Sequence, residues 1–317
     1  MKIHNSLAGK VSILLFSLLL FVCISAGINN ADANGQVQHL VNTQWLADNL
    51  KADNMRLIHM ATPGGQKEHF DMKHIPGSVY LGIGELMGVF GNGSTPPDKA
   101  GFETLMSSLG ISNDTHVVVV GGEGNPFVAG TFWLMKYFGH DRVSMMDGGV
   151  KKWMGENRPT TGEATTVTAT KYSATADSSL YANADDVLKN IKNKNAAIVD
   201  TRNAGEYSGQ DNSTQNKRTG NIPGSIHMDF YATNLNPDGT FKSAGDLKAA
   251  YEAKGITADK EVITYCQGGI RAAHTLFVLK YMLGYPNVKN YVGSWSEWGS
   301  RLDFTKYPAD NETIHTK

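Results

Sequence analysis

Glu261-Val-Ile-Thr-Tyr-Cys266-Gln-Gly-Gly-Ile-Arg271-Ala-Ala-His-Thr-Leu-Phe-Val-Leu-Lys280 is the stretch on which the reading of this chain turns. It begins with a short apolar run rich in β-branched residues, Val262-Ile-Thr264, which predicts a buried strand. The run after Arg271 is apolar, free of glycine and long enough for a helix. Between them Cys266 to Arg271 form a six-residue loop with two glycines inside it. A strand that turns tightly into a helix aims successive loop amides at one point, on the positive end of the helix dipole. Such a nest holds an anion. A cysteine at its lip favours the thiolate, because the thiolate is the anion held. Gln267, Gly268, Gly269, Ile270 and Arg271 are therefore the candidate anion cradle, with Arg271 as a fixed cation and Cys266 as the candidate nucleophile. Two other readings stay open at this point: a small buried hydrophobe at a strand end, and a phosphate cradle without covalent chemistry.

Outward from this stretch the chain repeats itself. His74-Ile-Pro-Gly-Ser78 returns as Asn221-Ile-Pro-Gly-Ser225, Lys136-Tyr-Phe-Gly139 as Lys280-Tyr-Met-Leu-Gly284, and Asp147-Gly-Gly149 as Val292-Gly-Ser294. A spacing of about 145 residues is too long for a solenoid and fits two copies of one domain. Leu57-Ile58 and Val117-Val-Val-Val120 read as strands in the first copy, and Ala197-Ile-Val199 and Val262-Ile-Thr264 match them in the second. Strands alternating with helical stretches predict an α/β fold: two tandem domains, each a mainly parallel sheet flanked by helices. The expected divisions are residues 37–160, a Thr- and Ala-rich linker over 161–177, and 178–312.

The N-terminus stands apart. Lys2 and Lys10 precede a nearly continuous apolar run from Val11 to Ala26, and Ala31-Asp-Ala33 offers small residues for cleavage. Residues 1–33 thus read as a secretory signal peptide, which predicts an exported, periplasmic protein; a retained anchor is the alternative. Cleavage after Ala33 removes Cys23 and leaves Cys266 as the single cysteine, so no internal disulfide is expected. The formal net charge is −1, and no basic stripe suggests nucleic acid. Ten histidines lie without zinc spacing and there is no Cys-x-x-Cys, so no metal site is expected.

The cysteine loop resembles the active-site loop of the rhodanese (sulfurtransferase) family. Tyr291-Val-Gly-Ser-Trp295-Ser-Glu-Trp298 resembles that family's C-terminal signature, with Val292 at a usually acidic position. Phe70-Asp-Met-Lys-His74-Ile-Pro-Gly77-Ser-Val-Tyr-Leu81 resembles its N-terminal signature, with Ser78 where alanine is usual. The resemblance spans roughly residues 37 to 310. It implies an enzyme in which the Cys266 thiolate takes the outer sulfur of thiosulfate and becomes a persulfide. The sulfur then passes to a thiophilic acceptor: cyanide, a thiol or a sulfur-relay protein. This two-step chemistry calls for no cofactor. The alternatives are 3-mercaptopyruvate as donor, a thiolate-based phosphatase or oxyanion reductase, and a non-catalytic persulfide carrier. Four residues separate Cys266 from Arg271, one fewer than in thiolate phosphatases, so the loop suits one sulfur atom better than a tetrahedral phosphate.

Laid over the second copy, the first puts Gly121 opposite Cys266 and Pro126 opposite Arg271. The loop Gly121-Gly-Glu-Gly-Asn-Pro126 therefore lacks nucleophile and cation, and the first domain is expected to be catalytically inactive, one wall of a cleft. Arg202, after the strand Ala197-Ile-Val199, is a candidate for binding the anionic donor; local pairing with Asp200 or Glu206 is the alternative. Arg218, beside Lys217, is a second candidate at the cleft mouth, with a solvated charge pair as the alternative. His274 shares a helix with Arg271 and is placed to face the same side. Trp295 and Trp298 read as core anchors and Tyr265 as a wall residue. Vertebrate members of the family read Asp-x-Arg-x-x-Gly-Arg where this chain reads Asp200-Thr-Arg202-Asn-Ala-Gly205-Glu206, and the second arginine there helps hold the donor. Glu206 should instead repel an anion, and mercaptopyruvate, with its distal carboxylate, more than compact thiosulfate.

Overall fold

The computed structural model describes residues 37–315 apart from 66, 92 and 94. The signal-peptide reading of residues 1–33 lies outside the described residues. The first half contains strands β1 (Leu40–Val41), β2 (Met55–Met60), β3 (Ser78–Leu81), β4 (His116–Val120) and β5 (Val143–Met146). The second contains β6 (Tyr181–Ala182), β7 (Ala196–Asp200), β8 (Ile226–His227), β9 (Glu261–Tyr265) and β10 (Val288–Tyr291). They form two five-stranded sheets of one topology, ordered β1-β5-β4-β2-β3 and β6-β10-β9-β7-β8. Every pairing within them is parallel. The expected tandem α/β architecture is the one observed.

The central strands carry the expected apolar runs, for a visible reason. Val117 to Val120 are all buried, since helices cover both faces of a parallel sheet and the strand needs no polar side. In the second half the chain leaves β9 for β10 on one side and β7 for β8 on the other. The loops after β7 and β9 lie at that reversal, at the carboxyl ends of the strands, where α/β folds place ligands. Cys266 follows β9; Arg202 and Glu206 follow β7.

The segment 161–177 is strapped to the first half. Thr161 bridges His74, the Thr170 hydroxyl donates to the Ile111 carbonyl at 2.6 Å, and the buried Tyr172 ring meets Phe102 edge-on. Tyr172 and Ala174 are buried and most of the remaining residues, several alanines among them, face water, which is why its composition reads as a linker.

The two halves share one core. The helix Pro126–Tyr137, which follows the first-half loop, packs against the helix Ile270–Leu276, which follows the cysteine loop. Phe132 and Phe277 meet edge to face at 4.9 Å across this contact. A Cβ on Gly130 would stand 2.7 Å from the Ile270 side chain, so a glycine there permits the close approach. Each half also covers the other's loop. Phe90 of the first half abuts Gly269, while Tyr231 and Leu235 of the second close over Gly124.

Candidate active site

β9 ends at Tyr265, and the next residue is the cysteine, 2 % exposed and free of any disulfide. Gly269 caps the following helix with φ +83°, a conformation that disfavours side chains. It is also crowded: a Cβ there would lie 3.0 Å from both the Phe90 ring and the Val292 backbone.

The loop is held open by one hydroxyl. Ser294 Oγ accepts from the amides of Cys266 at 3.0 Å and Gly269 at 3.1 Å, and donates to the Tyr291 carbonyl at 2.7 Å. Its own backbone sits at φ +49°, unusual for a residue other than glycine. The neighbouring backbone completes the brace: Trp295 N–H donates to the Cys266 carbonyl and Ser296 N–H to the Gln267 carbonyl. Asn290 Nδ2 donates to the Gly269 carbonyl at 3.0 Å. Gln267 turns its amide outward, donating to Asn216 Oδ1 at 3.0 Å and Ser296 Oγ at 2.9 Å.

This alters the expected cradle at one position, since the Gly269 amide belongs to Ser294. Among the described residues none accepts from the amides of Gln267, Gly268, Ile270 and Arg271. Four loop donors next to Cys266 are thus left without an acceptor among the described residues.

Arg271 is brought to the site but is not free. Its guanidinium donates to both oxygens of Glu206, at 2.6 and 2.8 Å, in a bidentate pair. Burial pushes the Glu206 carboxyl up, but the Arg271 hydrogen bonds and charge outweigh it, with help from the Asn203 amide, and hold it below the usual range. Glu206 reaches Arg271 because it occupies the first turn after β7, where Asn203 and Glu206 cap one another.

The two other candidate cations are scaffold. Arg202 is 1 % exposed, bonded through Nε and Nη2 to Asp200, with Nη2 also on the Gly220 carbonyl at 2.8 Å. Arg218 is wholly buried and far from the solvated pair expected at the cleft mouth: it donates to the carbonyls of Trp298 and Tyr307 at 2.9 and 2.6 Å and lies over the Phe304 ring. Both charges tie loops to the core; for Arg202 the partner is the expected neighbour Asp200, while for Arg218 no sequence neighbour reveals it. His274 also departs from expectation. It is buried between Phe230 and Phe241, its Nδ1 accepts from Asn234 Nδ2, and burial drives it down to about 3, so it is neutral. It lines a cavity of about 30 Å³ beside the first-half loop rather than the cysteine. Trp295 and Trp298 are core anchors, donating to the carbonyls of Arg218 and Pro308. Tyr265 is buried, its hydroxyl on Asp200 at 2.6 Å.

The first-half loop is built for packing. A Cβ on Gly121 would come within 2.6 Å of Val128. Glu123 is paired with Lys151 beneath Gly239. Gly149 stands at the place of Ser294, and a Cβ there would come within 2.7 Å of the Gly121 carbonyl.

Comparison with known proteins agrees with this geometry. The family model for a rhodanese-like domain matches residues 42–156 and again 183–301. A Thermus thermophilus protein named sulfur carrier protein TtuD is 40 % identical over 273 residues, covering 82 % of this chain and 93 % of that protein. A Saccharopolyspora erythraea protein, provisionally named a thiosulfate sulfurtransferase, is 39 % identical over 271 residues, with 82 % and 93 % covered. Among solved structures, SseA from Escherichia coli, described as a 3-mercaptopyruvate sulfotransferase of rhodanese fold, superposes with a TM-score of 0.71 at 26 % identity, covering 82 % of this chain and all of that one.

Proposed function

This chain belongs to the rhodanese-like family, with one such domain in each half, and from that premise we propose that Cys266 carries sulfane sulfur as a persulfide between a small donor and a thiophilic acceptor. The supporting observation is the braced loop: a cysteine at the carboxyl end of β9, followed by four loop amides without acceptors among the described residues and by the start of a helix. In the first step the thiolate attacks the outer sulfur of the donor, and the donor's remainder leaves with the bonding pair. In the second, the acceptor attacks the outer persulfide sulfur and Cys266 leaves as thiolate. The loop amides face negative charge on sulfur in both steps and need not reorganise between them. The first domain supplies the wall at Phe90 and no chemistry.

Of the two small anionic donors, thiosulfate is the better fit. None of the three arginines singled out as anion binders offers a free guanidinium for a distal carboxylate: Arg202 and Arg218 are spent inside the scaffold and Arg271 is held by Glu206. Losing a charged hydrogen bond costs about 1.5–3 kcal/mol, so mercaptopyruvate should trail thiosulfate in kcat/KM by about tenfold or more. Steady-state assays of the mature protein with both donors test this; a preference for mercaptopyruvate would reverse the assignment. The charged, apolar N-terminal segment and Ala31-Asp-Ala33 support export to the periplasm with cleavage after Ala33. An intact mass beginning at Asn34 is the expected finding, and full-length protein in the membrane fraction the contrary one.

A further inference from the structure

The segment between β7 and β8 grips the cysteine loop at both ends. Glu206 takes Arg271, the last residue of the loop. Asn216 takes Gln267, the residue next to the nucleophile, 51 positions away in the chain. The two side-chain amides bond reciprocally: Gln267 Nε2 donates to Asn216 Oδ1 at 3.0 Å, and Asn216 Nδ2 donates to Gln267 Oε1 at 3.3 Å. Asn216 Nδ2 also donates to Thr214 Oγ1 at 2.7 Å, and Asn216 Oδ1 also accepts from Ser300 Oγ at 3.2 Å. A primary amide offers two donors and two acceptor sites, so all four on Asn216 are used and its orientation is set. Its backbone is anchored as well. The Asn216 amide donates to Asn212 Oδ1 at 2.9 Å, and Asn212 Nδ2 donates to the Asn216 carbonyl at 3.1 Å. The residue is buried, at 7 % exposure.

We propose that Asn216 is a positioning residue for sulfur transfer: it clasps Gln267 and so fixes the peptide that follows Cys266 and the line along which its sulfur attacks. The inference rests on the sulfur-transfer reading of Cys266 and adds to it a residue from outside the loop. A glutamine side chain held in one rotamer gives up freedom that a loop glutamine otherwise keeps. Here both Nε2 protons are committed, to Asn216 and to Ser296 Oγ. The peptide behind it is fixed on its carbonyl side, because Trp295 N–H donates to the Cys266 carbonyl and Ser296 N–H to the Gln267 carbonyl. The clasp therefore joins three pieces of chain at the residue beside the nucleophile: the cysteine loop, the segment after β7 and the last helix. Displacement at sulfur requires the attacking, central and leaving atoms to lie in line, and a misplacement of about 1 Å costs about 100-fold in rate. Asn216 acts through Gln267 rather than on the donor, so its removal should slow the bound reaction and leave donor affinity alone.

The test is a double-mutant cycle on the clasp. Wild type, Asn216→Ala, Gln267→Met and the double variant are compared in steady state, with thiosulfate as donor and cyanide as acceptor. Rates are expressed per Cys266 thiol titrated by iodoacetamide in the folded protein. Methionine keeps the length of glutamine and removes its amide. Each single variant should lower kcat by about tenfold and leave KM for thiosulfate within about twofold. The double variant should fall no further than the slower single one, because both changes undo the same contact. A lower Tm with unchanged kcat would make the clasp a structural tie and overturn the proposal. A raised KM with kcat intact would overturn it too, since the pair would then be a donor contact, as would losses that multiply in the double variant. Should Asn216→Ala fold poorly, Gln267→Met decides alone, because it leaves Asn216 its bonds to Thr214 and Ser300. Wild-type turnover that survives Cys266→Ser would instead sink the sulfur-transfer reading beneath the proposal.

Discussion

Ser294 accepts two amides of the cysteine loop on one oxygen and returns its own proton to Tyr291. Its place in the C-terminal signature was legible; its role was not, because it depends on a backbone at φ +49° that no residue pattern announces. The same limit applies to Glu206. The sequence marks it as a carboxylate where relatives carry a cation, hence a repulsive element, but its bidentate hold on Arg271 joins residues 65 apart in the chain. Arg202 pairs with Asp200, one of the two partners its sequence offers, whereas nothing beside Arg218 in the sequence announces its burial against the Trp298 and Tyr307 carbonyls. Ser294→Ala orphans two buried amides, each at a cost of about 1–3 kcal/mol. The expected outcome is a lower Tm together with a loss of about tenfold or more in kcat/KM for sulfur transfer. A lower Tm with unchanged kcat/KM would mean that the hydroxyl stabilises the fold without shaping the cradle.

Elements were more legible than residues. β4 and β9 declare themselves by short runs rich in β-branched residues, Val117 to Val120 and Val262 to Thr264, because both their faces are covered. The loops after them differ in sequence, Cys266 and Arg271 against Gly121 and Pro126, which predicts one active and one silent copy. The structure adds a steric difference between them. Gly121 packs against Val128, and Gly149 against the Gly121 carbonyl, so the first loop has closed onto its own sheet where the second is propped open by a serine. His274 misled because helical spacing places it near Arg271 in rotation, whereas the aromatic cage of Phe230 and Phe241 decides where the ring rests. Helix periodicity gives a face; it does not say which of two domains that face meets.

Across the whole molecule, the internal repeat predicted the tandem sheets but not their mutual dependence. The helices after the two loops pack on one another, the core runs through both halves, and each half lays a segment over the other's loop. The first domain therefore adjoins the cysteine loop: Phe90 meets it at Gly269, the residue whose left-handed turn starts the helix behind Cys266. This arrangement also explains a cysteine only 2 % exposed in a protein read as an enzyme acting on small sulfur donors. A single sulfur atom needs little access, and a closed cradle shields a persulfide from water and stray thiols. The most direct measurement is the intact mass of the mature protein after exposure to a sulfane donor and its removal, with peptide mapping. The account predicts one added sulfur atom, on Cys266, discharged stoichiometrically by cyanide and absent from Cys266→Ser. Sulfur transfer that persists in Cys266→Ser, or a protein that turns over donor without ever holding sulfur on Cys266, would contradict it.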